Sequence, residues 1–284
     1  MKITAEPEVL TPEQELNRIQ YNRALNRRRF LTGLGATGLA AGAAIVAGCG
    51  GGMKSINSVP PVMAGSPQPS DVLNFALNLE YLEASFYLYA TTGTGLSSSD
   101  MGSGAGTVTG GAQVTNFSPA VAAIAAQIAA DEQTHVELLR SALGSAAVAM
   151  PNINLGALGT INNQTLFLQI ARAFEDTGVS AYIGAAQYLV SSVPDLTYAA
   201  QILAVEAYHA SNIRFNLIQM GITSTATDSM DVPPTASAYF CEKGALAIER
   251  TPQEVLNIVY ANTSTGITSG GFYPNGLNGT IIST

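Results

Sequence analysis

Two copies of one short pattern, a glutamate followed three residues later by a histidine, constrain this 284-residue chain more than any other feature. The pattern occurs in AADEQTHVE, as Glu132 and His135, and in AVEAYHA, as Glu206 and His209. The chain has two histidines, and both lie in this pattern. Charged residues make up 11% of the chain, less than half of the usual ~25%. Because residues three apart share one face of a helix, each pair can direct two ligand atoms at the same point.

The two pairs lie in segments whose apolar residues recur with a helical period. Two further segments show the same period, and each also places a glutamate in its apolar stripe: Glu80 follows Leu73 and Leu77, and Glu175 follows Ala171. This spacing predicts amphipathic helices that bury one face. The four predicted helices cover residues 70–91, 118–143, 163–191 and 195–220.

A bundle of these helices would bury four carboxylates in an apolar interior. Buried charge without a partner is very costly, and two divalent cations would neutralise it. Carboxylate oxygens combined with imidazole nitrogens suit iron or manganese, so the sequence predicts two divalent metal ions, Fe or Mn. In the alternative interpretation, the bundle keeps these residues but binds metal weakly. The candidate ligands are Glu80, Glu132, His135, Glu175, Glu206 and His209.

The sequence around the candidate ligands also carries a family resemblance. The stretches are NLEYLEASFY (78–87), DEQTHVELL (131–139), FEDTGVSAYIGA (174–185) and AVEAYHASNIR (204–214), with RTPQEVLNIVYAN (250–262) and GGFYPNG (270–276) near the C-terminus. Over residues 70–279 they resemble the bacterial ferritin-like domain family, which includes the desiccation-related proteins of plants. The resemblance implies an all-α fold: a ferritin-like antiparallel four-helix bundle with a long crossover, plus an irregular C-terminal extension. It also implies a di-metal centre that takes one Glu from each of two helices and a Glu-x-x-His pair from each of the other two.

The first predicted helix has two glutamates near its inward face, Glu80 and Glu83. We favour Glu80 because first helices of the ferritin-like family usually have a tyrosine seven residues further on, here Tyr87; Glu83 stays open as an alternate ligand or as a supporting residue. Tyr87 and Tyr182 could serve either as electron donors near the site or as core packing. Three charged residues could either orient ligands or form solvated and capping charges: Asp131, Asp176 and Arg214.

The N-terminal 48 residues have the pattern of an export signal. The segment Asn26–Leu31 (NRRRFL) resembles a twin-arginine signal, and an apolar run rich in Gly and Ala follows it. Val46–Cys49 (VAGC) resembles a lipobox, which would make Cys49 a lipid attachment point to the membrane. A short membrane helix is the alternative interpretation of the run. We therefore expect an exported protein, periplasmic or at the cell surface and lipid-anchored.

The sequence divides into a signal and a folded body. Residues 1–48 form the predicted signal and 49–69, rich in Gly, Pro and Ser, a flexible tether. Residues 70–220 form the predicted bundle, with Ser70 as its first N-cap, and 221–284 an extension that wraps it. The loop 91–118 is unusually long for a first connection, whereas the long segment 144–162 fits the crossover.

Charge and motifs limit the functions that remain. The formal net charge is -8, and the folded body has no basic stripe, which argues against nucleic-acid binding. The main hypothesis is an exported di-metal redox protein acting on a small oxidant, either dioxygen or peroxide, or on ferrous iron. The alternative is a non-catalytic surface or desiccation and stress-protection protein that uses the bundle as a scaffold. The sequence leaves open whether the chain forms a homo-oligomer.

Overall fold

The computed structural model describes residues 66–284. The predicted export signal, and the predicted tether up to residue 65, lie outside the described residues. Within residues 66–284, no helix combines the length and the apolar character needed to cross a membrane.

Four long helices form the body of the protein, which confirms the prediction of an all-α bundle. They are α1 (Pro69–Thr92), α3 (Pro119–Leu143), α4 (Gln164–Ala185) and α5 (Val193–Gln219). Helix α1 packs mainly against α3, and α4 mainly against α5. A short connection separates α4 from α5, whereas the segment between α3 and α4 is long, as a crossover between two helix pairs requires.

Three helix boundaries differ from the sequence-based prediction. Helix α5 begins at Val193, two residues before the predicted start, with Pro194 in its first turn. Helix α1 is capped by Gln68 and not by Ser70, because Pro69 occupies the first turn and Asp71 accepts a hydrogen bond from the Gln68 backbone. The third long helix ends at Ala185 and continues as a 3₁₀ turn, Ala186–Tyr188. Leu189 is nevertheless buried as its apolar character predicts.

The long loop after α1 is structured against the crossover. It contains the short helix α2 (Ser98–Met101) and the strand β1 (Val108–Thr109), which pairs in parallel with β2 (Ile153–Asn154) of the crossover. These two pieces are far apart in the sequence, so their pairing could not be predicted from local patterns. The loop and the crossover therefore stabilise each other.

The C-terminal extension packs onto the bundle. It contains the antiparallel strands β3 (Glu242–Lys243) and β4 (Leu246–Ala247) and the helix α6 (Pro252–Val259). Tyr273 donates a 2.7 Å hydrogen bond to the backbone carbonyl of Asn78 in α1. On α4, Gly184 lets the backbone approach closely, since a Cβ atom there would lie 1.9 Å from the carbonyl oxygen of Arg250.

Candidate metal centre

The four long helices bring all six predicted ligand residues together in the middle of the bundle. Glu132 and His135 lie one turn apart on α3, and Glu206 and His209 are placed in the same way on α5. Helix α1 contributes Glu80, and α4 contributes Glu175. The four glutamates have no solvent-exposed surface and the two histidines are 4–5% exposed. The members are Glu80, Glu132, His135, Glu175, Glu206 and His209.

Their side chains form two overlapping groups. In the first, Nδ1 of His135 lies 3.2 Å from Glu80, 3.3 Å from Glu132 and 3.3 Å from Glu206. One ligand atom from each of the four residues fits within a 4.8 Å span. Three helices therefore supply four ligand atoms around one point.

The second group mirrors the first. Nδ1 of His209 lies 2.9 Å from Oε1 of Glu132 and 3.4 Å from Oε2 of Glu175. These three residues and Glu206 also fit within 4.8 Å. Glu132 and Glu206 belong to both groups, and the two imidazole ring centres are 6.1 Å apart. Two carboxylates are thus common to two adjacent candidate positions.

The residues fit a pair of cations because several buried atoms have no hydrogen-bond partner. Both carboxylate oxygens of Glu206 are in this state, as are Oε1 of Glu132, Oε2 of Glu175 and Nδ1 of His209. His209 Nδ1 and Glu132 Oε1 are close enough for an ion pair but do not have hydrogen-bond geometry. Unpartnered buried acceptors are costly in a dry interior. Metal ions would bind all of these atoms at once.

Electrostatics within the cluster also favour cations. Burial raises the pKa of Glu80 to about 7, against an opposing effect of His135. Burial, together with the charge of Glu132, raises the pKa of Glu206 well above its usual value. Glu132 differs, because its two histidine neighbours outweigh burial and lower its pKa. Carboxyl groups of the cluster therefore tend to bind protons, and two divalent ions could replace these protons.

Three further side chains hold the candidate ligands in place. Tyr182 donates a 2.6 Å hydrogen bond to Glu80, and Tyr87 donates a short one to Glu175. Asp131 lies 3.1 Å from Nε2 of His209, on the side of the ring away from the cluster. This carboxylate fixes the imidazole so that Nδ1 faces the candidate metal position. Both tyrosines are therefore bonded to the cluster and are not core packing alone.

The structure places the two glutamates of α1, Glu80 and Glu83, in different positions relative to the candidate ligand groups. Glu80 belongs to the first group, whereas Glu83 belongs to neither. Glu83 is 4% exposed and has its pKa raised well above the usual value by burial and by the charge of Glu206. It lies beside the cluster at Gly178, where a Cβ atom would be 2.5 Å from Glu206 and 3.3 Å from Glu83. The assignment of all six ligands stays a prediction, now with a consistent geometry.

Two of the three charged residues considered for orienting ligands serve a different purpose. Arg214 donates to Asp176 at 2.7 Å and to backbone carbonyls of the C-terminal extension, including that of Tyr239. The ion pair thus joins α5 to α4, and the hydrogen bonds from Arg214 to backbone carbonyls attach the extension to α5. Of Asp131, Asp176 and Arg214, it is Asp131 that contacts a candidate ligand, His209.

Two further buried arginines form ion pairs of the same kind, and neither was predicted from the sequence. Arg172 binds Asp231 at 2.5 Å, and Arg250 binds Asp228 at 2.8 Å. Their partners lie in the irregular extension, so neither helical periodicity nor spacing could identify them. The nearby acidic group of Asp176, Asp231 and Cys241 is neutralised by arginines and is therefore an ion-pair network.

The fold and the cluster define a class, the ferritin-like four-helix proteins. The family model described as "Ferritin-like domain" matches residues 68–219, and the chain belongs to this family. It is also similar to a curated protein of Nesocodon mauritianus named "Ferritin-like catalase Nec2". The two are 24% identical over 263 residues, which cover 74% of this chain and 84% of the relative. The buried Glu and His groups agree with a di-metal carboxylate protein.

Proposed function

We propose that this protein is an exported di-metal carboxylate enzyme that disproportionates hydrogen peroxide into water and dioxygen. The observation that carries the proposal is the pair of four-residue groups sharing Glu132 and Glu206, with their unpartnered buried oxygens. The name of the relative supports the choice of peroxide among the small oxidants that such a centre could take. Bound iron or manganese ions would supply the electron exchange with peroxide.

The side chains of this chain would have separate tasks. Glu132 and Glu206 would hold both ions, while Glu80 with His135 and Glu175 with His209 would each complete one position. Hydrogen bonds from tyrosines would keep two of the carboxylates in a fixed orientation. The low exposure of the cluster would exclude bulk water from the reacting oxygen atoms.

The test combines metal analysis with turnover. Purified protein is loaded with Mn(II) or with Fe(II), and we expect about two metal ions per chain and dioxygen release from hydrogen peroxide. The variants Glu132→Ala and Glu206→Ala remove carboxylates common to both positions, so we expect both to lose metal and turnover. Tyr208→Ala serves as a control, because this side chain is 65% exposed on the outer face of α5. A wild-type protein that takes up no metal would refute the proposal.

The same preparation separates the alternatives. Dioxygen consumption and ferrous-iron oxidation are measured in parallel with peroxide turnover. Stable binding of two metals without any of these reactions would favour the non-catalytic scaffold, a surface or stress-protection protein.

We propose in addition that the chain is exported and attached to a membrane by lipid on Cys49. The twin-arginine and lipobox patterns in residues 26–49 support this. Lysine in place of Arg27, Arg28 and Arg29 together should retain the protein inside the cell, and Cys49→Ala should release it from membranes. Membrane attachment that persists in Cys49→Ala would argue instead for the membrane-helix interpretation.

A further inference from the structure

A cavity of about 510 Å³ lies beside the candidate metal centre, between α1, α4 and the C-terminal extension. Pockets that bind small organic molecules typically enclose ~300–1,000 Å³. Hydrogen peroxide is not much larger than water, whose share of liquid volume is about 30 Å³. The cavity is therefore many times larger than the proposed reaction with peroxide requires.

The cavity borders the cluster at two residues, Glu83 and Gly178. Gly178 has no side chain that could separate the cavity from the cluster. A Cβ atom added there would lie 2.5 Å from Oε2 of Glu206. Glu83 is more than nine-tenths buried and lines the cavity. A molecule in the cavity would thus approach the carboxylates of the metal centre directly.

The wall of the cavity indicates the chemistry of its occupant. Phe174 and Phe272 pack edge to face there, with ring centres 4.9 Å apart, and they offer aromatic surface to a ring. The amide oxygen of Asn257 is buried in the wall without a hydrogen-bond partner. Such an acceptor would be satisfied by a hydroxyl group. An aromatic molecule that carries hydroxyl groups would match both features.

Charge in the wall favours a neutral occupant. Among the lining residues that the structure describes, Arg172 is the basic one. Its guanidinium already donates to Ser224, Thr225 and Asp231. An anionic occupant would therefore meet the carboxyl group of Glu83 without a free cation to balance its charge.

We propose that this cavity, which we call the chamber, binds a neutral hydroquinone-type molecule that donates electrons to peroxide at the metal centre. The inference rests on the proposed function. In the balanced reaction, both O–H bonds of the hydroquinone break and a quinone forms, with loss of two electrons and two protons. The O–O bond of hydrogen peroxide breaks, and the electrons and protons complete two water molecules. Glu83 lines the chamber and lies beside Gly178, next to Glu206 of the metal centre.

Binding is tested first, on metal-free protein, so that the result does not depend on turnover. The probe is tert-butylhydroquinone, titrated under anaerobic conditions by calorimetry. We expect one molecule per chain. Ala173→Phe fills the chamber and should weaken binding by more than about tenfold, and Asn257→Leu removes the unpartnered acceptor and should weaken it by about tenfold. Asn212→Leu, a matched change at an exposed site on α5, should bind as the wild type does.

The outcomes separate the chamber from the metal chemistry. Circular dichroism first confirms that each variant is folded. No binding to the wild type, or binding that neither chamber variant weakens, would overturn the proposal. With metal-loaded wild-type protein, each hydroquinone consumed should yield one quinone, and less dioxygen should be released per peroxide consumed than in the absence of hydroquinone. Dioxygen release without any quinone would overturn the chamber's role and leave the proposed function intact. The metal-loaded protein could instead turn over no peroxide while the metal-free protein still binds the probe. That result would refute the proposed function and the electron-donor role, but not the binding site.

Discussion

A Cβ atom on Gly178 would lie 2.5 Å from Oε2 of Glu206, closer than such atoms approach in folded proteins. The glycine on α4 therefore leaves the space that the carboxylate from α5 occupies. This space is part of the candidate metal centre, because Glu206 belongs to both groups of ligands.

Gly178→Ala should reduce metal binding without unfolding the protein. The added methyl group would displace Glu206, and we expect metal affinity to fall by at least about tenfold. The metal-free protein should not lose stability, since alanine is about 1 kcal/mol more favourable than glycine within a helix. Chelator competition measures the affinity and thermal unfolding the stability. Val179→Ala, the next residue on α4, is the control, and an unchanged metal affinity in Gly178→Ala would contradict the prediction.

Metal affinity should rise with pH. The ligand atoms must lose protons to bind metal, and burial raises the pKa of Glu80 to about 7. Below that pH a proton competes for the carboxylate, and above it the competition disappears. One such group alone makes binding about tenfold tighter at pH 8 than at pH 6. Calorimetry in buffers of different ionisation enthalpy should also detect proton release, and an affinity independent of pH would argue against these ligands.

Asp131→Ala should weaken metal binding although Asp131 is not a predicted ligand. Its carboxylate holds Nε2 of His209 at 3.1 Å, and its loss frees the imidazole to rotate away from the cluster. Loss of such supporting contacts typically costs about 10–100-fold in metal affinity. Gln127→Ala provides a graded comparison, because Gln127 donates to Asp131 at 2.8 Å and should have a smaller effect. Equal effects of the two variants would count against a positioning role for Asp131.

The ion pair of Asp228 and Arg250 should stabilise the protein at neutral pH but not in acid. Hydrogen bonds from Arg250 lower the pKa of Asp228 below its ordinary value of 3.8. A lowered pKa means that the stabilisation is complete above the unfolded-state value and is lost as the pH falls through the folded-state value. We therefore expect Asp228→Asn to reduce the free energy of unfolding by about 1–3 kcal/mol at pH 7.

This difference from the wild type should shrink as the pH falls below about 4, where Asp228 begins to bind a proton in the unfolded chain. Urea unfolding at several pH values measures it. A difference that stays constant down to the acid limit would show that the ion pair is not its cause.

The helices and the candidate ligands could be predicted from the sequence because both depend on local spacing. A glutamate and a histidine three residues apart must share a helix face, so Glu132 with His135 and Glu206 with His209 required no knowledge of the tertiary structure. The prediction of metal followed from the cost of burying carboxylates in a chain so poor in charge. The family match over residues 68–219 confirms the ferritin-like fold to which this pattern pointed.

The tertiary structure alone decided which distant groups meet. Glu80 and Glu83 are both buried on α1, and only the packing of the other helices places Glu80 in the cluster and Glu83 against the chamber. Asp131 is distinguished from other acidic residues by its contact with a histidine on another helix. The buried arginines are likewise identified only by their tertiary contacts, because their acidic partners lie in an irregular segment. Contacts between elements depend on packing and chain geometry, which periodicity within one segment does not encode.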